Sequence, residues 1–231
     1  MAPIALIPAR GGSKGIPRKN VLLVGGQPLI AWTIAAALAA PGVSRVLVST
    51  DDPEIAAVAR AHGAEVPFLR PAALATDSAS SLEVALHALD WLEKEELITP
   101  EYLLLLQPTS PLRRSTDIVA AMQLAATQDA DAVLGVCEAA PHPYLARTVS
   151  SEGVISDFLP ISPKPATRQE YPPAYVINGA LYLIRSATLR AERTFQPPGA
   201  LACIMPVERS LDIDTPWEMR LVDLLLRENG D

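Results

Sequence analysis

Short apolar runs alternate with amphipathic stretches along most of this chain, the order that builds a mostly parallel sheet covered by helices. Ile4–Ala9, Arg45–Ser49, Tyr102–Gln107 and Ala132–Val136 read as strands. Val176–Arg185 reads as a returning strand, with Asn178-Gly179 forming either a turn or a bulge where the backbone approaches something closely. The helices announce themselves by their ends. Leu29–Leu38 puts Ile30, Ile34, Ala37 and Leu38 on one face and stops at Pro41-Gly42. Asp52-Pro53-Glu54 supplies an N-cap, a proline at the first helical position and an early acid, and Gly63 ends that helix. Ser80 with Glu83 has the capping-box spacing ahead of Val84, Leu86, Leu89 and Trp91. Thr215, Pro216 and Glu218 repeat the device before a C-terminal helix.

Between Pro141 and Pro173 the alternation stops, because prolines at 141, 143, 160, 163, 165, 172 and 173 forbid a long helix or a central strand. This stretch is expected to leave the main sheet. Residues 1–231, 49% of them apolar, suit a single domain with about 141–173 as an excursion rather than two independent units.

Charge sharpens the picture. The net charge of −7 argues against a nucleic-acid or anionic-membrane surface. Residues 1–50 nevertheless carry five bases, Arg10, Lys14, Arg18, Lys19 and Arg45, and no acid. An acidic chain with one concentrated basic loop suggests a localised polyanion such as a triphosphate. Cys137 and Cys203 lack metal-ligand spacing and read as two buried thiols in a reducing compartment. The apolar opening is too short for a signal peptide and runs straight into Arg10, so a cytoplasmic location is expected.

The chemistry points to the loop after the first strand, Arg10-Gly11-Gly12-Ser13-Lys14-Gly15-Ile16-Pro17-Arg18-Lys19-Asn20. Glycines let the backbone turn and offer N–H groups to phosphate oxygens, and Arg and Lys supply countercharge. In an open α/β sheet ligands gather at the carboxyl ends of strands, where this loop falls. A Walker A loop is excluded, since no glycine here is followed by Lys and then Ser or Thr. Gly11-Gly12-Ser13-Lys14-Gly15 does spell GxSxG, but a nucleophile elbow leads straight into a helix, which Pro17 interrupts.

Ile7 through Asn20 resembles the N-terminal signature of the acylneuraminate cytidylyltransferase (CMP-sialic acid synthetase) family. Three further segments agree in order: Leu69-Arg70-Pro71 through Ser80-Ser81, Leu106 through Arg113, and Asp212-Ile213-Asp214-Thr215. The resemblance implies a Rossmann-like nucleotidyltransferase sheet with helices on both faces. It implies transfer of CMP from CTP to the anomeric hydroxyl of an acidic nine-carbon (nonulosonic) sugar, with release of pyrophosphate. The alternatives are the same chemistry on Kdo or another acidic sugar, or a silent nucleotide-binding homologue.

By that resemblance Arg10, Lys19 and Asp214 are the catalytic candidates. Leu6, Ala9, Arg10, Ser13, Lys14, Lys19, Asn20, Arg70 and Ser81 fall on the nucleotide side. Gln107, Arg168, Tyr182 and Phe195 fall on the sugar side. Arg168 matches an arginine donated across a homodimer interface toward the sugar carboxylate, which would place the 141–173 excursion at that interface. Asp212 and Asp214 match a pair that binds Mg2+, and their spacing at an apparent strand end puts both carboxylates on one face, suited to sharing a hard cation. The chain departs from the pattern where Val176-Ile177 replaces a second arginine before Asn178, and where Leu145 stands for a lysine.

Overall fold

A computed structural model describes residues 2–12, 15–159 and 167–228. In chain order its strands are β1 (Ile4–Pro8), β2 (Leu23–Val24), β3 (Gln27–Pro28), β4 (Arg45–Ser49), β5 (Tyr102–Leu105), β6 (Ala132–Glu138), β7 (Arg147–Val149), β8 (Ile155–Asp157), β9 (Tyr175–Arg185) and β10 (Leu201–Ile204). The helices are α1 (Leu29–Leu38), α2 (Pro53–Ala61), α3 (Ser81–Glu95), α4 (Ser115–Gln128), α5 (Ser186–Glu192) and α6 (Pro216–Glu228).

The main sheet has the order β10-β6-β9-β5-β1-β4. All its pairings are parallel except those of β9, which runs antiparallel to both β5 and β6. Near-continuous apolar strands require cover on both faces, and they receive it. One face packs Ala5, Ile7 and Leu104 against Ile30 and Ile34 of α1, Ile55 of α2 and Ile118 of α4. The other packs Leu6, Leu103 and Leu105 against Leu86, Leu89 and Leu92 of α3 and Leu189 of α5. The expected Rossmann-like α/β architecture is therefore the one observed.

The end signals act as their chemistry requires. The Asp52 carboxylate accepts from the Glu54 and Ile55 amides at the start of α2. Ser80 and Glu83 form a reciprocal capping box on α3. At α6 the Glu218 carboxylate accepts from the Asp214 and Thr215 amides at 2.8 and 2.7 Å, while the Thr215 hydroxyl accepts from the Glu218 amide. No pattern reading identified α4, α5, β10 or the β2–β3 hairpin. The helix α4 is mostly alanine and small residues, so its apolar face barely contrasts with its surface, and β10 is short and half-exposed at the sheet edge.

Two sequence expectations need correction. The strand read as Tyr102–Gln107 ends at Leu105, because beyond it the chain enters a turn at Pro108-Thr109. Asp212 and Asp214 are not at a strand end. Residues 211–214 form an irregular segment, held by the Ile213 amide donating to the Thr109 carbonyl at 2.9 Å.

Asn178-Gly179 is a bulge: the β6–β9 register jumps between Leu134 and Val136, and Gly179 has φ +72°. The buried Asn178 side chain organises it, accepting from the Ala180 amide at 3.1 Å and donating to the Ser210 hydroxyl at 2.9 Å. Gly135 makes room, since a Cβ there would lie 2.7 Å from the Asn178 carbonyl oxygen. Within the described part of the proline-rich stretch, β7 and β8 pair only with each other. Cys137 and Cys203 are buried, free thiols.

Gly135→Ala should therefore overpack the bulge and cost about 1–3 kcal/mol. Urea denaturation should show the midpoint falling at unchanged slope, and an unchanged midpoint would show that Asn178 yields without penalty.

Candidate active site

The carboxyl ends of β1 and β5 open into a cavity of about 250 Å³ whose walls include Arg10, Lys19, Asn20, Arg70, Ser81 and Gln107. Six predicted residues thus meet in one place. Pro8 also lines it, whereas Leu6 and Ala9 are wholly buried in the core and do not. The Leu6 side chain joins the α3-side core and that of Ala9 the opposite one. Ser13 and Lys14 lie outside the described residues.

Each basic group has a defined anchor. The Asn20 side-chain amide donates to the Arg10 carbonyl at 3.1 Å, closing the loop on itself. The Arg10 guanidinium reaches across the cavity to Asp77 at 2.7 Å. Arg18 takes the left-handed conformation at φ 57° and pairs with Asp52 and Glu54, so it braces the loop against α2. Arg70 is buried; its Nε donates to the Ser49 hydroxyl at 3.0 Å and its Nη2 to the Ser49 carbonyl. Burial, with the Arg10 charge reinforcing it and Asp51 opposing it, draws the Arg70 guanidinium down to about 10. It remains cationic at neutral pH.

Lys19 joins the loop to the far end of the chain. Its Nζ donates to the Ile213 carbonyl at 2.5 Å and lies 3.3 Å from the Asp214 carboxylate. Gly15 approaches the same segment so closely that a Cβ would lie 2.6 Å from the Asp214 carbonyl. Ile16 and Ile213 share a small apolar cluster with residues of α1 and α6. The basic turn and the aspartate pair therefore converge.

The two aspartates differ sharply. Asp214 projects into solvent, with its side chain 73% exposed. Asp212 is half-buried beside the Thr109 hydroxyl, and its Oδ1 is a buried atom without a hydrogen-bond partner. Burial, with the Asp214 charge beside it, raises the Asp212 carboxyl above the ordinary range, while Thr109 and Lys19 act the other way. An orphaned, desolvated carboxylate oxygen next to a second carboxylate suits a hard divalent cation. Among the described residues no group of three or more His, Cys, Asp or Glu gathers as a metal cage, so non-protein oxygens would have to complete the shell.

The supports of this segment reach into the sheet. Arg209 grips the buried Asp117 of α4 through two hydrogen bonds, at 2.6 and 3.1 Å, and Asn178 holds Ser210. Arg113, fully buried, donates from Nη1 to the Gln107, Ser110 and Ala180 carbonyls, fixing the turn that presents Gln107. Desolvation lowers Arg113 to about 9. The sequence motif contained Thr109 and Arg113, but nothing in their residue type indicated these positioning duties.

A second cavity of about 280 Å³ shares Ser81 and Gln107 with the first and is lined also by Tyr182 and Phe195. Those two rings are 5.5 Å apart. Burial and the Asp212 charge push the Tyr182 phenol up, so it stays a protonated donor. Arg168 opens a single 3-10 turn, Arg168–Glu170, and its side chain lies outside the described atoms.

The chain matches the family model described as cytidylyltransferase over residues 4–190. It is 37% identical over 218 residues to an N-acylneuraminate cytidylyltransferase of Streptococcus agalactiae, covering 93% of this chain and 51% of that protein. The chain thus spans about half the length of that relative. It is 33% identical to a CMP-N,N'-diacetyllegionaminic acid synthase of Legionella pneumophila, over 100% of this chain and 99% of that protein. A solved CMP:2-keto-3-deoxy-manno-octonic acid synthetase complexed with CTP superposes with a TM-score of 0.73 at 19% identity, over 99% of this chain and 100% of that one, a likeness of fold. With the family model covering most of the sequence and the relatives running through both the basic turn and the aspartate segment, the chain belongs to the cytidylyltransferase family.

Proposed function

We propose that this chain transfers CMP from CTP to the anomeric hydroxyl of an acidic nonulosonic sugar, releasing pyrophosphate. The observation that carries this reading is the contact of Lys19 with the Ile213 carbonyl and the Asp214 carboxylate at the edge of the cavity holding Arg10 and Arg70. A chelated triphosphate needs cations for its oxygens and carboxylates for its metal, and that contact puts both within one locus.

The roles follow from position. Arg10, Lys19 and the loop amides hold the triphosphate, with Ser13 and Lys14 assigned to the same loop. Arg70 and Ser81 bound the cytidine side. Gln107, Tyr182, Phe195 and, from a partner subunit, Arg168 orient the sugar. The work left to these groups is to bring two anions together in line and to neutralise charge growing on the departing pyrophosphate. Asp212 and Asp214 would hold Mg2+, which when bound supplies Lewis-acid stabilisation of phosphate oxygens.

A homodimer suits the excursion. Val149, Ile155 and Phe158 of the hairpin region and Tyr175, Val176 and Ile177 at the start of β9 are large apolar side chains left in solvent, the composition of a covered face. The acidic net charge disfavours nucleic acid while the basic side chains gathered at the cavity suit a small anionic substrate, and no described helix is long and apolar enough to cross a membrane. The expected cytoplasmic location rests on the two free thiols and the substrate class.

Pyrophosphate release should be seen with CTP, magnesium and at least one of the neuraminic, legionaminic, pseudaminic or Kdo acids, and should fall away with UTP and GTP. Asp214→Ala should keep its fold and lower that rate by about 10²-fold or more at any magnesium concentration; near-normal turnover would remove the metal assignment.

Asp212→Asn should abolish turnover yet raise the metal-free melting temperature at neutral pH by about 2–4 °C, for a gain on the order of 1 kcal/mol. The sign follows from the raised carboxyl: its stabilising protonated form is complete below the unfolded pKa and lost as pH rises through the folded one. The asparagine variant should therefore flatten this pH dependence, and a lowered melting temperature would contradict the assigned desolvation.

In sedimentation the chain should run at about twice its 24.6 kDa mass. Ile155→Asp with Phe158→Asp should shift it toward monomer, and a monomeric wild type would remove the donated Arg168.

A further inference from the structure

Resting on that reading, we infer that Arg193 is a specificity residue that binds the carboxylate of the sugar substrate from within the same chain. The second cavity is lined by Gln107, Tyr182, Thr194, Phe195 and Gln196, all neutral, and by Arg193, its single charged wall residue among those described. A pocket that admits an acidic sugar beside an already anionic nucleotide is served by a cation in its own wall, in addition to the Arg168 assigned to a partner subunit. Within this chain the ligand's carboxylate would otherwise be desolvated against neutral groups and repelled by the triphosphate.

Arg193 is distinguished from its neighbours by what it does not touch. Arg185 is saturated: its guanidinium meets Glu101 at 2.8 Å, Asp131 at 3.1 Å and also Asp129. Arg190 pairs with Asp90 at 2.6 Å and Glu93 at 3.1 Å, tying α5 to α3. Arg193, exposed, forms no hydrogen bond or ion pair from its guanidinium among the described residues. Glu83, an acid close enough to feel the Arg193 charge, has its carboxylate committed to the Ser80 amide and hydroxyl at 3.0 and 3.2 Å.

The backbone gives this free guanidinium a fixed base. Arg193 caps α5 in the left-handed conformation, φ 54° and ψ 33°, with its amide donating to the Leu189 carbonyl. Leu189 is wholly buried and the Arg190 pairs fix the helix to α3, so the cap residue is carried on an anchored element. A planar fork on such a base can take a carboxylate through two parallel N–H donors. Tyr182 lines the same cavity, and Asp212 is close enough to influence its phenol, which puts the sugar pocket beside the aspartate segment. Arg193 thereby offers a cation to a pocket where Val176-Ile177 supplies none.

The test compares wild type, Arg193→Gln and Arg193→Lys in the full chain with CTP and magnesium. Each is assayed on the acidic sugar the wild type uses best and on that sugar's C1 amide. Arg193→Gln should raise KM for the acid by roughly 10- to 100-fold, leave KM for CTP unchanged and lose most of the preference for acid over amide. Arg193→Lys should recover part of the preference, since it restores charge without the fork. Far-ultraviolet circular dichroism and the melting temperature should match wild type, because the side chain is solvent-facing. If wild type turns over the acid and Arg193→Gln keeps its KM and its acid preference, the arginine assignment is overturned while the proposed function stands. If wild type turns over no acidic sugar yet binds CTP, the functional reading fails and this inference with it.

Discussion

The contact between Lys19 and the segment 213–214 is the constraint on which the site depends. It joins residues separated by almost the whole chain, and a lysine that donates at once to a main-chain carbonyl and a carboxylate fixes both distance and direction. Everything around it tightens the same junction: Gly15 has no side chain because the Asp214 carbonyl occupies that space, and Ile16 and Ile213 close the apolar layer beneath. The positive turn and the negative pair could not come so near without one another, since each partly neutralises the field that would repel its own members.

Support for the aspartates comes from an unexpected direction. The bulge in β9 was legible as a turn or a bulge, but its purpose was not: Asn178 reaches out to Ser210, two residues before Asp212. Arg209 then clamps the same stretch to Asp117. The run 206–214, one 3-10 turn followed by irregular chain, pairs with no strand, and side chains from β9 and α4 brace it instead. Asp212 can be held desolvated at the cost of stability only because this scaffold leaves it no alternative conformation.

How much of this the sequence disclosed depends on the range of the interactions. Residues whose signals are local were read correctly: Asp52, Ser80 and Thr215 mark helix starts through bonds spanning a few positions, and Arg45–Ser49 is buried enough to need no other clue. Of the six cavity residues, Arg10, Lys19 and Asn20 sit in a loop whose glycines and bases have obvious chemistry, while Arg70, Ser81 and Gln107 were placed by the family resemblance. What escaped was long-range or averaged. The alanine-rich α4 has too little contrast for periodicity, and the edge strand β10 depends on β6 for its conformation. Leu6 and Ala9 were counted with the site by the family resemblance, and their side chains pack into the core. Arg193 carried no signal at all, since a free arginine and a solvated one look alike until the neighbours' partners are known.

The reversed strand β9 has an effect beyond its hydrogen bonds. Running against β5 and β6, it begins where they end, with Tyr175 opposite Glu138 and Tyr182 opposite Leu105. The intervening detour of the chain therefore leaves and re-enters on the rim where the ligand-facing loops emerge. Insertions or exchanges in that detour can reshape what lies over the acceptor without disturbing the buried strands that carry the phosphate-facing turn. Relatives specialised for different acids could then diverge by editing one peripheral stretch, keeping a common engine beneath it.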